Sequence, residues 1–429
     1  MKVSNTQVAT VILAGGQGTR LYPLTIHHSK PAVSYGGRYR LIDIPISNSI
    51  NSNFHHIFVI AQYLSNELQH HITQTYHFDT FSPVSIDVLT PQENESKERQ
   101  WFEGTADAVR KNLEIILKSS AEYFLILSGD QLYNIHFQSM LEFAKDHQAD
   151  LTIAALPVLE KETSRMGLLK ISEDQTVIEF IEKPQSADIL EQYKLKEDFF
   201  DGHQMEKPKE PVYLASMGIY IFRRKALETL LKEDLRADFG LHIIDTAVKT
   251  KKTSAFVYQG YWEDIGTIAS YYDANLVLTG SGKRLNTYDE QNPIYARPTC
   301  LPGPKIEGAK IVQSIICEGS VIEAIEISHS VIGLRSHIGQ GTVIRNTVMM
   351  GNHFYTTSSS EEKSLEHEFR VGKNCIIEKA IIDEFVQIGD HVKLVNKKGL
   401  QEYDGEGIFI RQGIIIVPSG AHLPDYYEL

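Results

Sequence analysis

Over the first two thirds of the chain, short unbroken apolar runs alternate with polar, turn-rich stretches. Val8 to Ala14 and His56 to Ala61 each read as one buried strand of a parallel sheet, and Val84 to Leu89 alternates as a third. Val109, Leu113 and Ile116 share one face of a helix expected from about Thr105 to Lys118. Tyr123 to Asp130 is another apolar strand, and it ends on an acidic residue. A strand at Leu151 to Leu156 follows, then a hairpin from GLLKIS and VIEFIEKP, a charged surface excursion over 185–212, and a return through YLASMGIYIF. A strand at Ala255 to Tyr258 and a helix around Ile268 to Leu278 complete the pattern. Strand, helix and strand in this order predict a doubly wound, Rossmann-like α/β domain over 1–285, with ligands at the carboxyl ends of its strands.

The period then changes. After a linker at 286–299, Ile315, Val321 and Ile327 recur every six residues, as do Ile332, Ile338, Ile344 and Met350, and again Ile376, Ile382, Ile388 and Leu394. Glycine follows several of them directly, at 333, 339, 351 and 389. Neither a helix nor a simple strand repeats at six, whereas a triangular solenoid with about six residues per side does. The expectation is a left-handed parallel β-helix over 300–429. The register slips by one between 327 and 332, and residues 352–370 interrupt the repeat as a protruding loop.

Candidate chemistry begins where the first strand ends. Gly15, Gly16 and Gly18 follow it, then Arg20, with Lys30 ten residues further on. Glycine lets backbone N–H groups approach an anion closely, and a guanidinium fork with an ammonium beside it suits a triphosphate. The loop is neither G-x-x-x-x-G-K-[ST] nor G-x-G-x-x-G, whose third glycine falls on Leu21. Asp130 and Asp264 stand at strand ends and are suitable hard ligands for Mg2+, although either alone is commonly a cap or turn residue. Glu182 and Lys183 follow a strand as an adjacent carboxylate and ammonium, a pair that a solvated edge would also explain. Trp101 and Phe102 precede a helix N-terminus, where a hydrophobic staple is the simplest role. No Ser-His-Asp or Cys-His arrangement stands out, and the pairs His55-His56 and His70-His71 lack ligand spacing.

Charge and cysteine usage narrow the partners. The chain has 42 Lys+Arg against 55 Asp+Glu, a formal net charge of -13, with no basic run. That balance argues against nucleic acid or a membrane surface. Cys300, Cys317 and Cys375 have no CxxC spacing and suggest free thiols in a reducing compartment. No signal-peptide core and no apolar run of membrane-spanning length is present, so a cytoplasmic protein is expected.

Taken together, GGQGTRL, SKPAV, SNSINS, WFEGTADAVR, SGD, EFIEKP, ASMGIY and YWEDIGT resemble the sugar-1-phosphate nucleotidylyltransferases, and most closely the glucose-1-phosphate adenylyltransferases. YRLIDIPISN and HSVIGLRS are similar to the plant-like branch. The resemblance covers nearly the whole chain and implies transfer of AMP from ATP to glucose 1-phosphate, with Mg2+, in a cytoplasmic homotetramer. It implies ATP contacts at Gly15, Gly16, Gly18, Gln92 and Gly104, catalytic roles for Arg20, Lys30, Asp130 and Asp264, and the metal on the two aspartates. Glucose 1-phosphate falls to Phe102, Gly167, Glu182, Lys183 and Ser216. Arg38, Arg40, Gln62, Trp101, Lys379 and Arg411 match regulatory positions that respond to an anionic sugar-phosphate effector. The chain departs from the pattern at Phe102, where tyrosine is common, at His27, His28 and Ser29, where two bases and an alanine are usual, at Glu93, and at Arg411 and Pro418. Pyrophosphorylases for UDP-glucose or GDP-mannose, and a non-catalytic regulatory subunit of the same architecture, are the competing expectations.

Overall fold

The computed structural model describes residues 7–79, 81–91, 101–282, 284–355 and 369–429. Val8–Ala14 lies inside the main sheet, parallel to His56–Ala61 on one side and to Tyr123–Ser128 on the other. His56–Ala61 pairs in parallel with Ser85–Leu89. A strand covered on both faces must be apolar throughout. Accordingly Val8 and Ile12 enter one core while Ala9 and Val11 enter the opposite one.

The other half of the sheet is largely antiparallel, with Thr253–Val257 alone parallel to Leu151–Leu159, so the sheet is mixed. Val212–Arg223 pairs antiparallel with Tyr123–Ser128 and Leu151–Leu159, and Gly167–Ile171 with Val177–Glu182 as a hairpin. Short connections permit only antiparallel neighbours, and the hairpin has one. The chain leaves Val8–Ala14 toward Ser85–Leu89, then comes back to its other flank at Tyr123–Ser128. That reversal opens a crevice at the carboxyl ends of the two strands. The helix expected over 105–118 is divided into Thr105–Lys111 and Leu113–Ile116 at Asn112, whose side-chain amide donates to the Ala108 carbonyl at 2.9 Å. The excursion at 185–212 carries two short helices, Ala187–Tyr193 and Glu197–Gly202, pinned by buried Tyr193 and Phe200.

The second domain is a parallel β-helix. Val321 stacks on Lys305 and His337 on Val321, sixteen residues apart each time, whereas Val343 stacks on Glu326 at seventeen. Each of these coils is therefore shorter than three full sides of six, and the slip of the sequence repeat between 327 and 332 is one such missing residue. Glycine is needed where coils turn: a Cβ on Gly372 would stand 2.4 Å from the Gly389 carbonyl oxygen. Of the interrupting segment, 356–368 lies outside the described residues.

The two domains share a core. Val331, Val348, Ile381 and Ile416 of the solenoid pack in one cluster with Tyr35, Tyr271 and Leu278 of the sheet domain. The Tyr272 hydroxyl donates to the Asn346 carbonyl at 2.5 Å. The stretch 286–299 is laid along the first domain. Asn286 N–H donates to Asn134 Oδ1 at 2.6 Å, Asn51 Nδ2 to the Pro293 carbonyl at 3.0 Å, and Tyr295 N–H to Ser47 Oγ at 2.9 Å.

Candidate active site

The glycine loop opens directly onto the crevice. Gly18 takes φ +64, and a Cβ there would stand 2.9 Å from Lys30 Cβ, so glycine is required by conformation and by packing. The loop is fixed from outside by Thr25, whose hydroxyl donates to the Gly18 carbonyl at 3.1 Å. Gly16 has open space where its Cβ would be, which leaves its backbone accessible.

Lys30 begins the one-turn helix Lys30–Ala32 and is buried. Its ammonium donates to Asp130 Oδ2, while the Ser128 hydroxyl donates to Oδ1. Burial alone would push the Asp130 carboxyl up, but the charge and hydrogen bond of Lys30 bring it below the ordinary carboxylate range. Asp264 arrives by a different route. The strands Gln131–Tyr133 and Trp262–Asp264 pair antiparallel with Asp264 opposite Gln131, and Ile265 N–H donates to the Asp130 carbonyl at 3.2 Å. Burial, and then the Asp130 charge, hold the Asp264 carboxyl above its ordinary value; Lys30, Arg165 and Arg20 offset this only in part. A Cβ on Gly266 would stand 3.3 Å from Asp264 Oδ2 and 3.6 Å from Arg20 Nη1, so the guanidinium and the carboxylate both approach that glycine. Arg20, Lys30, Asp130 and Asp264 thus converge. A half-buried pair of carboxylates that one ammonium does not fully compensate is a donor set suited to a hard divalent cation, which takes one or two carboxylates and completes its shell with water and phosphate. Among the described residues no group of three or more His, Cys, Asp or Glu forms a fuller cage.

A cavity of about 460 Å³ runs from this centre to the hairpin end, lined by Gly15, Lys30, Asp130, Asp264, Glu182 and Lys183 among others. Lys183 sits at φ +48, its N–H donating to the Met166 carbonyl, and its Nζ lies 3.1 Å from Glu182 Oε1. The Glu182 carboxylate is wedged between two glycines: a Cβ on Gly167 would stand 2.6 Å from Oε2, and one on Gly240 3.2 Å from Cδ. Phe102, Gly104 and Ser216 line the same cavity. A Cβ on Gly104 would stand 2.5 Å from the Ala237 carbonyl oxygen, which caps the helix Thr105–Lys111 by accepting from Ala106 N–H at 2.7 Å.

Gln131, Arg165 and Asp238 also line the cavity and were not singled out in the sequence. Gln131 ties three strands together: Nε2 donates to the Met217 carbonyl at 2.9 Å and Oε1 accepts from Trp262 Nε1 at 3.4 Å. Its position right after Asp130 was the one available clue. Asp238 accepts from Leu241 N–H at 3.0 Å and Thr105 Oγ1 at 3.3 Å, and no periodicity marks its stretch.

The remaining expected positions lie apart from this centre. Gln62 reaches the rim, where its amide exchanges hydrogen bonds with the Phe102 backbone at 2.9 and 3.4 Å. Trp101 lies outside beside Tyr63, their ring centroids 6.4 Å apart, in a groove that His27 also lines. Gln92 and Glu93 lie outside the described residues. The basic positions Arg38, Arg40, Lys379 and Arg411 do not gather into one open cluster. Arg38 pairs with Glu318, Arg411 with Asp404 at 2.6 Å, and Arg40 is buried against Glu67 and Glu384. Lys379 Nζ lies by the Gly413 turn. His28 is buried with Nδ1 2.8 Å from Glu67 Oε1. Cys300, Cys317 and Cys375 are free thiols. No helix among the described residues is long and apolar enough to cross a membrane.

A glycine loop with two cations, facing two strand-end carboxylates across a crevice, is an arrangement for handling phosphates. Residues 9–281 match the family model described as nucleotidyl transferase, and residues 299–427 match the GLGC left-handed parallel β-helix domain. With the sheet, the site and the solenoid all in that order, the chain belongs to the nucleotidyl transferase family and carries a GLGC-type β-helix behind its catalytic domain.

Proposed function

We propose that this nucleotidyltransferase moves AMP from ATP to α-D-glucose 1-phosphate, giving ADP-glucose and pyrophosphate for an α-glucan of the glycogen or starch type. The observation that carries this reading is the single cavity joining the Lys30–Asp130–Asp264 centre to the Glu182–Lys183 hairpin end. It offers one end to a triphosphate and the other to an anionic sugar.

The sugar phosphate has a second pKa near 6 and is mostly dianionic at neutral pH, so its oxygen needs no strong base to become a nucleophile. That oxygen forms a bond to the α-phosphorus of ATP, the bridge to the β-phosphate breaks, and pyrophosphate carries the electron pair away. Catalysis is then positioning and charge compensation. Arg20, Lys30 and the backbone of Gly15, Gly16 and Gly18 hold the triphosphate. Lys183 meets the sugar phosphate, Glu182 the sugar hydroxyls, and Phe102, Gly167 and Ser216 shape that end. Asp130 and Asp264 would hold Mg2+, which when bound neutralises phosphate charge as a Lewis acid. Gln92 would read the base beside Gly104.

Pyrophosphate release measured over a panel of ATP, UTP and GTP against glucose 1-phosphate and mannose 1-phosphate tests the proposal. Turnover confined to ATP with glucose 1-phosphate is the expected result, and preference for another pair replaces it. The working oligomer is proposed to be a homotetramer, which a solution mass measurement checks.

A further inference from the structure

Arg40 stands where the two domains meet and touches both. Its Nη1 donates to the Ala32 carbonyl, at the end of the turn that begins with Lys30. Its Nη2 lies 3.3 Å from Glu67 Oε1, on helix Ser65–Thr75, and 3.4 Å from Glu384 Oε1, just beyond the solenoid strand Ile376–Ile382. The Arg40 and Glu384 side chains are only 6% and 3% exposed. Glu384 is itself held from both domains, by the Ser34 hydroxyl at 2.6 Å and by His353 Nε2 at 2.8 Å. The other titratable groups around the pair are His353, whose Nε2 also lies 2.8 Å from Arg40 Nη2, His28 on Glu67, Asp383 next to Glu384, and Asp43, which accepts the Arg40 backbone N–H at 2.8 Å.

A guanidinium fork is shaped to receive the oxygens of a carboxylate or a phosphate. Here the chain's own carboxylates fill that place, one from each domain. The contacts run unbroken from the solenoid through Glu384, Arg40 and the Ala32 carbonyl to Lys30, and from Lys30 to Asp130. We propose that Arg40 is a positioning residue for Lys30, and that Glu384 serves as a built-in anion which holds Arg40 in place without any bound effector. The consequence for turnover rests on the adenylyl-transfer reading above; the consequence for stability does not.

Glu384→Ala removes the carboxylate together with the volume it fills, leaving Arg40 with room for an external anion. Apparent Tm and the KM values of both substrates are measured on the full chain, with and without millimolar inorganic phosphate at constant ionic strength. Loss of one partner of a buried pair should lower Tm by about 3–5 °C. KM for ATP should rise roughly tenfold, as expected for about 1.4 kcal/mol of lost positioning, with KM for glucose 1-phosphate near wild type. Phosphate should restore both Tm and KM in the variant and leave the wild type unchanged.

A variant indifferent to phosphate overturns the proposal, as does a wild type that gains as much as the variant. Should Glu384→Ala fail to fold, Glu67→Ala removes the other carboxylate at a more exposed position and must show the same phosphate rescue. The double variant Arg40→Met/Glu384→Leu must show none; rescue there would place the phosphate elsewhere and overturn the assignment. If even the wild type makes no ADP-glucose, the proposed function fails while the Tm series still decides the clamp.

Discussion

Asp264 faces Gln131 across a three-residue antiparallel ladder, and this register sets its carboxylate beside that of Asp130. The two acids are brought together by backbone hydrogen bonds, not by their own attraction, since each disfavours the other's charge. Replacing one should therefore leave the fold intact. Asp130→Asn should lower kcat by several orders of magnitude, because charge is lost where the transition state needs it. Pyrophosphate release together with a thermal melt checks this. Turnover near wild type would remove Asp130 from the site.

The sugar end should respond separately from the nucleotide end. Lys183 projects from the hairpin into the cavity and rests on Glu182. Lys183→Ala should raise KM for glucose 1-phosphate by roughly 2 kcal/mol, or about thirtyfold, the low end for a desolvated charged contact. KM for ATP should move little. Equal changes in both constants would contradict the assignment of Lys183 to the sugar phosphate.

Gly167 offers a steric test of the same end. A methyl group there would collide with Glu182 Oε2 and the Phe180 ring, both at 2.6 Å. Overpacking of this kind costs about 1–3 kcal/mol. Gly167→Ala should displace Glu182, so the loss should appear in glucose 1-phosphate binding more than in ATP binding. Isothermal titration with each substrate distinguishes the two.

The acidic pair of the solenoid predicts a pH dependence. Burial, then the Glu384 charge, push the Asp383 carboxyl up to about 7, against about 3.9 in an unfolded chain. Between those values the folded protein binds the extra proton, so this group's contribution to stability falls as pH rises through that window. Glu384 runs the opposite way. Burial is outweighed there by Arg40 and His353, which hold it below its ordinary range, so its contribution is lost as pH falls below about 4.5. Asp383→Asn should be more stable than wild type near about pH 8, with the gain vanishing near about pH 4. Melting curves at both ends decide it; a gain independent of pH would point to a cause other than ionisation.

Much of this is legible in the amino-acid sequence alone. Val8–Ala14 and Tyr123–Ser128 announce themselves because strands buried on both faces have no polar positions to blur the run. The placement of glycines 15, 16 and 18 and of the acids at 130 and 264 at strand ends was legible because each closely follows or closes a strand run. The pairing of Arg40 with Glu384 was not. Its members are far apart in sequence, and a charged residue near an apolar repeat gives no sign of which domain it faces. Nor did the six-residue repeat reveal coils of sixteen and seventeen, because a missing corner residue leaves the inward-facing positions apolar either way. The break at Asn112 is hidden in the sequence because its side-chain bond to the Ala108 carbonyl has no signature in hydrophobic spacing.

The core shared by the sheet and the solenoid has a consequence for how this protein can be taken apart or inherited. Family resemblance changes between residues 281 and 299, and that is where one would cut to obtain a free catalytic half. A cut there would bare Tyr35, Tyr271 and Leu278, which the solenoid covers, and Arg40 would lose Glu384. The isolated half should aggregate. A proteolytic nick within 286–299 of the intact chain should instead yield two fragments that elute together, because the covering surfaces stay matched when the peptide bond is gone. Recombination that exchanged one half for a distant relative's would have to bring its covering surface with it.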